Sequence, residues 1–219
     1  MCEFDWANKD NIDDAVMYSE GFLEDNLSTS SWVPSAWEID SDIFPLLRMQ
    51  DSERVVGVAL NGVLLFTGTS DDGYDAFFPK SYAGHKNPVA VEVDVCLGTA
   101  GSTYTYHYHM FSPCIFDITL RESAASCSSG DFPLCAKDVR LHAQKYVPTL
   151  MKTLTPIGIA KDGRIIYGPY KYDGTLWQPC DVDVCNGVRF NQFYGYVATM
   201  FHPYFVGCFG PGNRPVSMT

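Results

Sequence analysis

Long apolar runs are missing. No stretch of about 18 apolar residues occurs, so the 219-residue sequence predicts no membrane span. Clustered basic residues are missing too. Against 26 Asp and Glu stand 15 Lys and Arg, a net charge of −11, and no basic patch exists to hold phosphates, which argues against nucleic-acid binding. Residues 1–54 hold 13 of the acidic residues and 3 of the basic ones, so the negative charge is concentrated in an N-terminal arm. The opening Met1-Cys2-Glu3-Phe4-Asp5-Trp6 lacks the basic-then-apolar order of a signal peptide. Motifs for nucleophilic or phosphate chemistry are also absent: no G-x-S-x-G elbow, no H-E-x-x-H helix, no P-loop. Gly207-Cys208-Phe209-Gly210-Pro211-Gly212 lacks dinucleotide-binding spacing, and its Pro forbids the helix that should follow. With no catalytic set and no cofactor motif, the chain is expected to be a non-enzyme.

What the chain does have is an internal repeat. Val56-Gly57-Val58-Ala59-Leu60-Asn61-Gly62-Val63-Leu64-Leu65-Phe66 returns 101 residues later as Ile157-Gly158-Ile159-Ala160-Lys161-Asp162-Gly163-Arg164-Ile165-Ile166-Tyr167. Each copy continues into an acidic segment ending in Cys, Glu92-Val93-Asp94-Val95-Cys96 and Asp181-Val182-Asp183-Val184-Cys185. Each then gives an aromatic alternation, Tyr106-His107-Tyr108-His109 and Tyr194-Gly195-Tyr196-Val197, and a closing cysteine, Cys114 and Cys208. Four landmarks in one order indicate tandem duplication, and duplicated halves commonly pair about a pseudo-two-fold axis.

The period of the pattern predicts an all-β protein with little helix. Asn61-Gly62 and Asp162-Gly163, flanked by β-branched residues, predict hairpins with type I′ turns. The two acidic segments and the Tyr/His segment alternate with period two, as strands do. Short helices are expected only over Asp10–Leu23 and about Lys137–Lys145. The organisation that follows is an acidic arm (1–49), a first β repeat (50–120), a Cys-containing linker (121–155), a second β repeat (156–209) and a C-terminal tail (210–219). Both repeats are expected to be antiparallel, with the arms extended. Of the eight cysteines, Cys96 with Cys114, Cys185 with Cys208 and Cys127 with Cys135 could bridge in an oxidising compartment, or stay as buried thiols in a reducing one. Asn26-Leu27-Ser28 is a sequon that matters only for a secreted chain.

Three constellations invite chemistry. His107 and His109, at i and i+2 on one strand face, could chelate zinc or copper given a third ligand from His142, His202, Asp94 or Cys96. Against this, the second copy keeps the strand and drops both histidines, so no metal site is assigned. Asp181–Gly187 faintly suggests a calcium loop but has Cys185 where an oxygen ligand belongs, and Gly187 comes one place late. The run Phe190, Phe193, Tyr194, Tyr196, Phe201, Tyr204, Phe205 and Phe209 suits either the core of the second half or a protein interface.

The string Tyr106-His107-Tyr108-His109 resembles the signature of the YHYH-domain family. Gly158–Gly163, Ile166-Tyr167-Gly168-Pro169, Asp183-Val184-Cys185-Asn186-Gly187, Pro203-Tyr204 and Gly207-Cys208-Phe209 are similar to its shared blocks. Family members often repeat the Tyr-His alternation where this chain has Tyr194-Gly195-Tyr196-Val197. The motif positions implied by the resemblance are Asn61, Gly62, Asp94, Cys96, Tyr106, His107, Tyr108, His109, Asp162, Gly163, Asp183, Cys185, Asn186 and Gly187. Within the family the chain is similar to diatom pyrenoid-shell proteins. That likeness implies a chloroplast protein at the pyrenoid periphery, self-assembling into a sheet or tube around Rubisco, with itself, shell paralogues or the Rubisco condensate as partners. The alternative expectation is a secreted, disulfide-stabilised module binding a metal or small ligand through His107 and His109.

Overall fold

A computed structural model describes residues 54–71, 73–80, 88–101, 104–123, 125–190 and 193–209. The expected arms 1–49 and 210–219, the helix over Asp10–Leu23, the sequon and Cys2 lie outside these residues.

Among the described residues eight strands form one mixed sheet: β1 (Val55–Ala59), β2 (Leu64–Phe66), β3 (Gly98–Thr99), β4 (His107–Tyr108), β5 (Pro156–Ala160), β6 (Ile165–Tyr167), β7 (Gly187–Phe190) and β8 (Phe193–Val197). Their order is β3-β4-β2-β1-β5-β6-β8-β7. Elements matched by the sequence repeat thus occupy matched places outward from a β1–β5 seam. That seam is antiparallel, with Gly57 opposite Ala160, Val58 opposite Ile159 and Ala59 opposite Gly158. Leu60 N–H donates to Ile157 O at one end of it and Lys161 N–H to Val56 O at the other, 2.8 and 2.9 Å.

Glycine makes the seam possible. A Cβ on Gly57 would sit 2.5 Å from Ile159 O, and one on Gly158 would sit 2.6 Å from Val58 O. Each repeat also carries an irregularity at its first strand, between Val55 and Gly57 and between Pro156 and Gly158. The intervening Val56 and Ile157 are both fully buried.

Three sequence expectations need correction. The halves are not purely antiparallel: β2 with β4 and β6 with β8 pair in parallel, which the long β2–β4 and β6–β8 connections allow. The hairpin turns are not type I′. Gly62 and Gly163 have φ of 84° and 85°, but Asn61 and Asp162 are not among the positive-φ residues. Bonds from Gly62 N–H to Ala59 O and Gly163 N–H to Ala160 O, both 2.9 Å, give instead a turn followed by a left-handed glycine. The acidic segments are not strands of the sheet. Asp94 Oδ1 accepts from Cys96 and Gly98 N–H, and Asp183 Oδ1 from Cys185 and Gly187 N–H. An aspartate that satisfies its own neighbours' amides folds the chain into a turn rather than a ladder.

Among the described residues, α-helix occurs in short pieces, α1 (Ile118–Glu122), α2 (Pro133–Lys137) and α3 (Val139–Tyr146). The helix expected near 137–145 is α3, and α2 ahead of it was not expected; the two are separated at Asp138. That residue has an extended backbone and caps α3 by accepting from Arg140 N–H. The linker contributes Cys127, Cys135, Ala143 and Val147 to the same buried cluster as Leu65, Tyr108, Ile166 and Tyr196. Disulfides join Cys96 to Cys114, Cys127 to Cys135 and Cys185 to Cys208. In the C-terminal aromatic run Tyr196, Tyr204, Phe205 and Phe209 are buried and Phe190 and Tyr194 pack against buried clusters, so core packing accounts for most of it, and Phe193 is exposed. No helix among the described residues is long and apolar enough to cross a membrane.

Candidate functional site

The tyrosines and the histidines of the Tyr106–His109 string do different things. Tyr106 OH donates to Asp94 Oδ2 at 2.6 Å, and Tyr194 OH donates to Asp183 Oδ2 at 2.7 Å. Each aspartate thereby ties a turn to the aromatic strand, and burial pushes both phenols up. Burial also pushes the Asp183 carboxyl up, with its three donors pulling against it. The second tyrosine of each copy anchors a hairpin tip. Asn61 Nδ2 donates to Tyr108 OH at 3.1 Å, and Tyr196 OH donates to Asp162 Oδ2 at 2.7 Å. Asn186 holds the turn before β7 with φ 61° and donates from Nδ2 to Thr199 Oγ1 at 2.8 Å. Gly187 must lack a side chain because the Tyr194 ring lies over it, as Tyr106 lies over Gly98. Cys96 and Cys185 are in disulfides. Of the fourteen motif residues, all but His107 and His109 have a counterpart contact, turn or bridge in the other half, and these are structural.

His107 and His109 are each 3% exposed, at the end of β4. His107 Nδ1 lies 2.6 Å from Thr105 O and His109 Nδ1 2.6 Å from Thr67 O. A carbonyl only accepts, so both Nδ1 atoms carry the hydrogen. Both Nε2 atoms are then lone-pair nitrogens, and they stand 3.1 Å apart. Phe66 stacks on His107 with centroids 3.8 Å apart and presents an edge to His109. Burial and the nearby Arg54 cation lower both imidazoles, His109 to about 4. A cleft of about 230 Å³ adjoins the pair, lined also by Ser70, Asp71, Thr99 and Gly101, with Arg54 paired to Asp71.

The corresponding place in the second half is sealed. Gly195 and Val197 replace the histidines, and a Cβ on Gly195 would lie 3.1 Å from the Tyr167 ring. Tyr167, Trp177 and Val197 form a separate apolar cluster with Phe190 packed on it. Trp177 Nε1–H donates to Gly168 O at 3.2 Å. Gly168 matches Thr67 in the repeat, so the carbonyl that takes a histidine N–H in one half takes an indole N–H in the other.

None of the third ligands expected from sequence reaches the histidine pair. His142 bonds Val95 O at 2.7 Å, His202 lies against Thr69, Asp94 holds its turn, and Cys96 is oxidised. No group of three His, Cys, Asp or Glu suited to a metal exists among the described residues. Sequence reasoning missed Phe66, the Thr67 and Thr105 carbonyls and the Arg54–Asp71 pair. Only Phe66, as the aromatic closing the first hairpin, left a trace in the repeat. A second cleft of about 570 Å³ is lined by Asp75, Arg140, His202 and Tyr204, among others. There Tyr204 OH donates to Asp75 at 2.9 Å.

No protein-family model matches the chain, and no curated protein or solved structure matches it either.

Proposed function

We propose that the chain is a non-enzymatic structural protein that self-assembles into a sheet or tube. Its two repeats are related by an internal pseudo-two-fold axis, and its arms add contacts between copies. The observation that carries this reading is a row of apolar side chains. Leu64, Val58, Ile159 and Ile165 stand at directly paired positions across β2, β1, β5 and β6. Ile159 and Ile165 are 48% and 42% exposed, and Leu60 at the adjoining turn is 61% exposed. Scattered surface aliphatics need no explanation, but a contiguous row across four central strands fits a contact surface. Val58 matches Ile159 and Leu64 matches Ile165 in the repeat, so the row is equally apolar on both sides of the β1–β5 seam; two copies packed through it close a dimer, which contacts from the arms would extend into a sheet or tube. The sheet edges are less suited to joining copies, since β3 has two residues and β7 presents exposed Arg189.

Further copies of the chain are then its partners. The YHYH and pyrenoid-shell resemblance favours a chloroplast location, with shell paralogues or Rubisco condensate as additional partners. The disulfides among the described residues favour the oxidising, extracellular alternative. Alkylation of thiols before lysis separates the two locations. Electron microscopy of the concentrated protein tests assembly: sheets or tubes are expected, and a monodisperse monomer at every concentration and salt would sink the reading.

A further inference from the structure

The geometry points to a binding site for one divalent transition-metal ion, copper(II) or zinc(II), between Nε2 of His107 and Nε2 of His109. Three observations lead there independently of assembly. First, both Nδ1–H groups are spent on backbone carbonyls at 2.6 Å. This outer-shell arrangement fixes a metal-binding imidazole in the tautomer with a free Nε2. Second, two such nitrogens 3.1 Å apart have no hydrogen between them, so the close approach is a lone-pair repulsion unless a cation joins them. A metal about 2.0–2.1 Å from each would subtend an angle of about 100°, between a square plane and a tetrahedron. Third, the remaining coordination positions need not come from the protein, because the pair borders an open cleft of about 230 Å³. Water or a small donor ligand completes the shell there.

A proton is the competing cation. It would be held in one Nε2–H···Nε2 bond along the 3.1 Å line, whereas a metal bonds both nitrogens and reaches further donors through the cleft. Asp71 pairs with Arg54 and offsets that charge at the cleft. The second half supplies a natural comparison, since the matching place is filled by apolar side chains around Val197. One metal per chain is therefore expected, not two.

The full chain, stripped with chelator, is titrated with copper(II) sulfate and separately with zinc chloride near neutral pH. One equivalent per chain is expected, with the copper form showing splitting from two imidazole nitrogens by electron paramagnetic resonance. His109→Val copies the residue of the second half and removes one ligand. Its affinity should fall by more than the about 10–100-fold that losing an outer-shell partner costs. Uptake by the wild-type chain no greater than that of a His107→Ala/His109→Val double variant would overturn the site. So would copper signals lacking two equivalent imidazole nitrogens, a readout that needs no variant to fold. Assembly seen by microscopy with and without metal keeps this result separate from the structural reading.

Discussion

Replacing Gly158 with Ala should wedge the β1–β5 seam open. The new methyl carbon would lie 2.6 Å from Val58 O and 3.2 Å from both Ala59 Cα and Leu65 Cδ1. The nearest atoms belong to the backbone of β1, which cannot move aside as a side-chain tip can. Overpacking of this kind costs about 1–3 kcal/mol, and a backbone obstacle places Gly158→Ala toward the upper end. For a chain of this size each kcal/mol shifts Tm by about 2–4 °C, so a fall of roughly 4–12 °C is expected in a thermal melt with the disulfides intact. Gly57→Ala should cost about as much, since its Cβ would meet Ile159 O at 2.5 Å. The double variant should cost less than the sum, because either methyl alone already spreads the strands. Unchanged melting in either variant, or strict additivity in the pair, would refute the close-approach argument.

Tyr194→Phe removes a bond to a carboxylate at 2.7 Å and should lower stability by about 1.5–3 kcal/mol by denaturant titration. Tyr106→Phe should cost less because Tyr106 is 40% exposed. Replacing the Cys185–Cys208 bridge, with its sequence separation of 23, by two alanines should cost about 3 kcal/mol on the chain-entropy account, read from the urea midpoint. Buried His142 spends Nε2–H on Val95 O while Nδ1 has no partner, and burial lowers its pKa from 6.5. The unfolded chain therefore binds this proton more readily, so stability should be lost as pH falls below about 6.5. His142→Gln should flatten that slope in pH-resolved unfolding.

Much of the scaffold was legible because repetition exposes it. Asn61-Gly62 and Asp162-Gly163 marked real hairpins, and paired cysteine positions marked the Cys96–Cys114 and Cys185–Cys208 bridges. Alternation misled at Glu92–Cys96 and Asp181–Cys185, because a period of two says nothing of an aspartate that captures its own neighbours' amides. Parallel pairing was hidden for a similar reason: β4 joins β2 from about 40 residues downstream, and local pattern carries no partner information. The site was legible only as two histidines sharing a face. Its decisive features are the Thr67 and Thr105 carbonyls, main-chain atoms that every sequence possesses.

Sedimentation velocity of the wild-type chain beside Ile159→Lys tests the central claim of self-assembly most directly. Lysine on the exposed face at the middle of the apolar row leaves the β1–β5 hydrogen bonds in place while putting charge where a second copy would pack. The wild-type chain should form large, concentration-dependent species that the variant fails to form at equal thermal stability. Identical sedimentation of the two as monomers, or identical assembly, would contradict the apolar row as the contact that joins the copies.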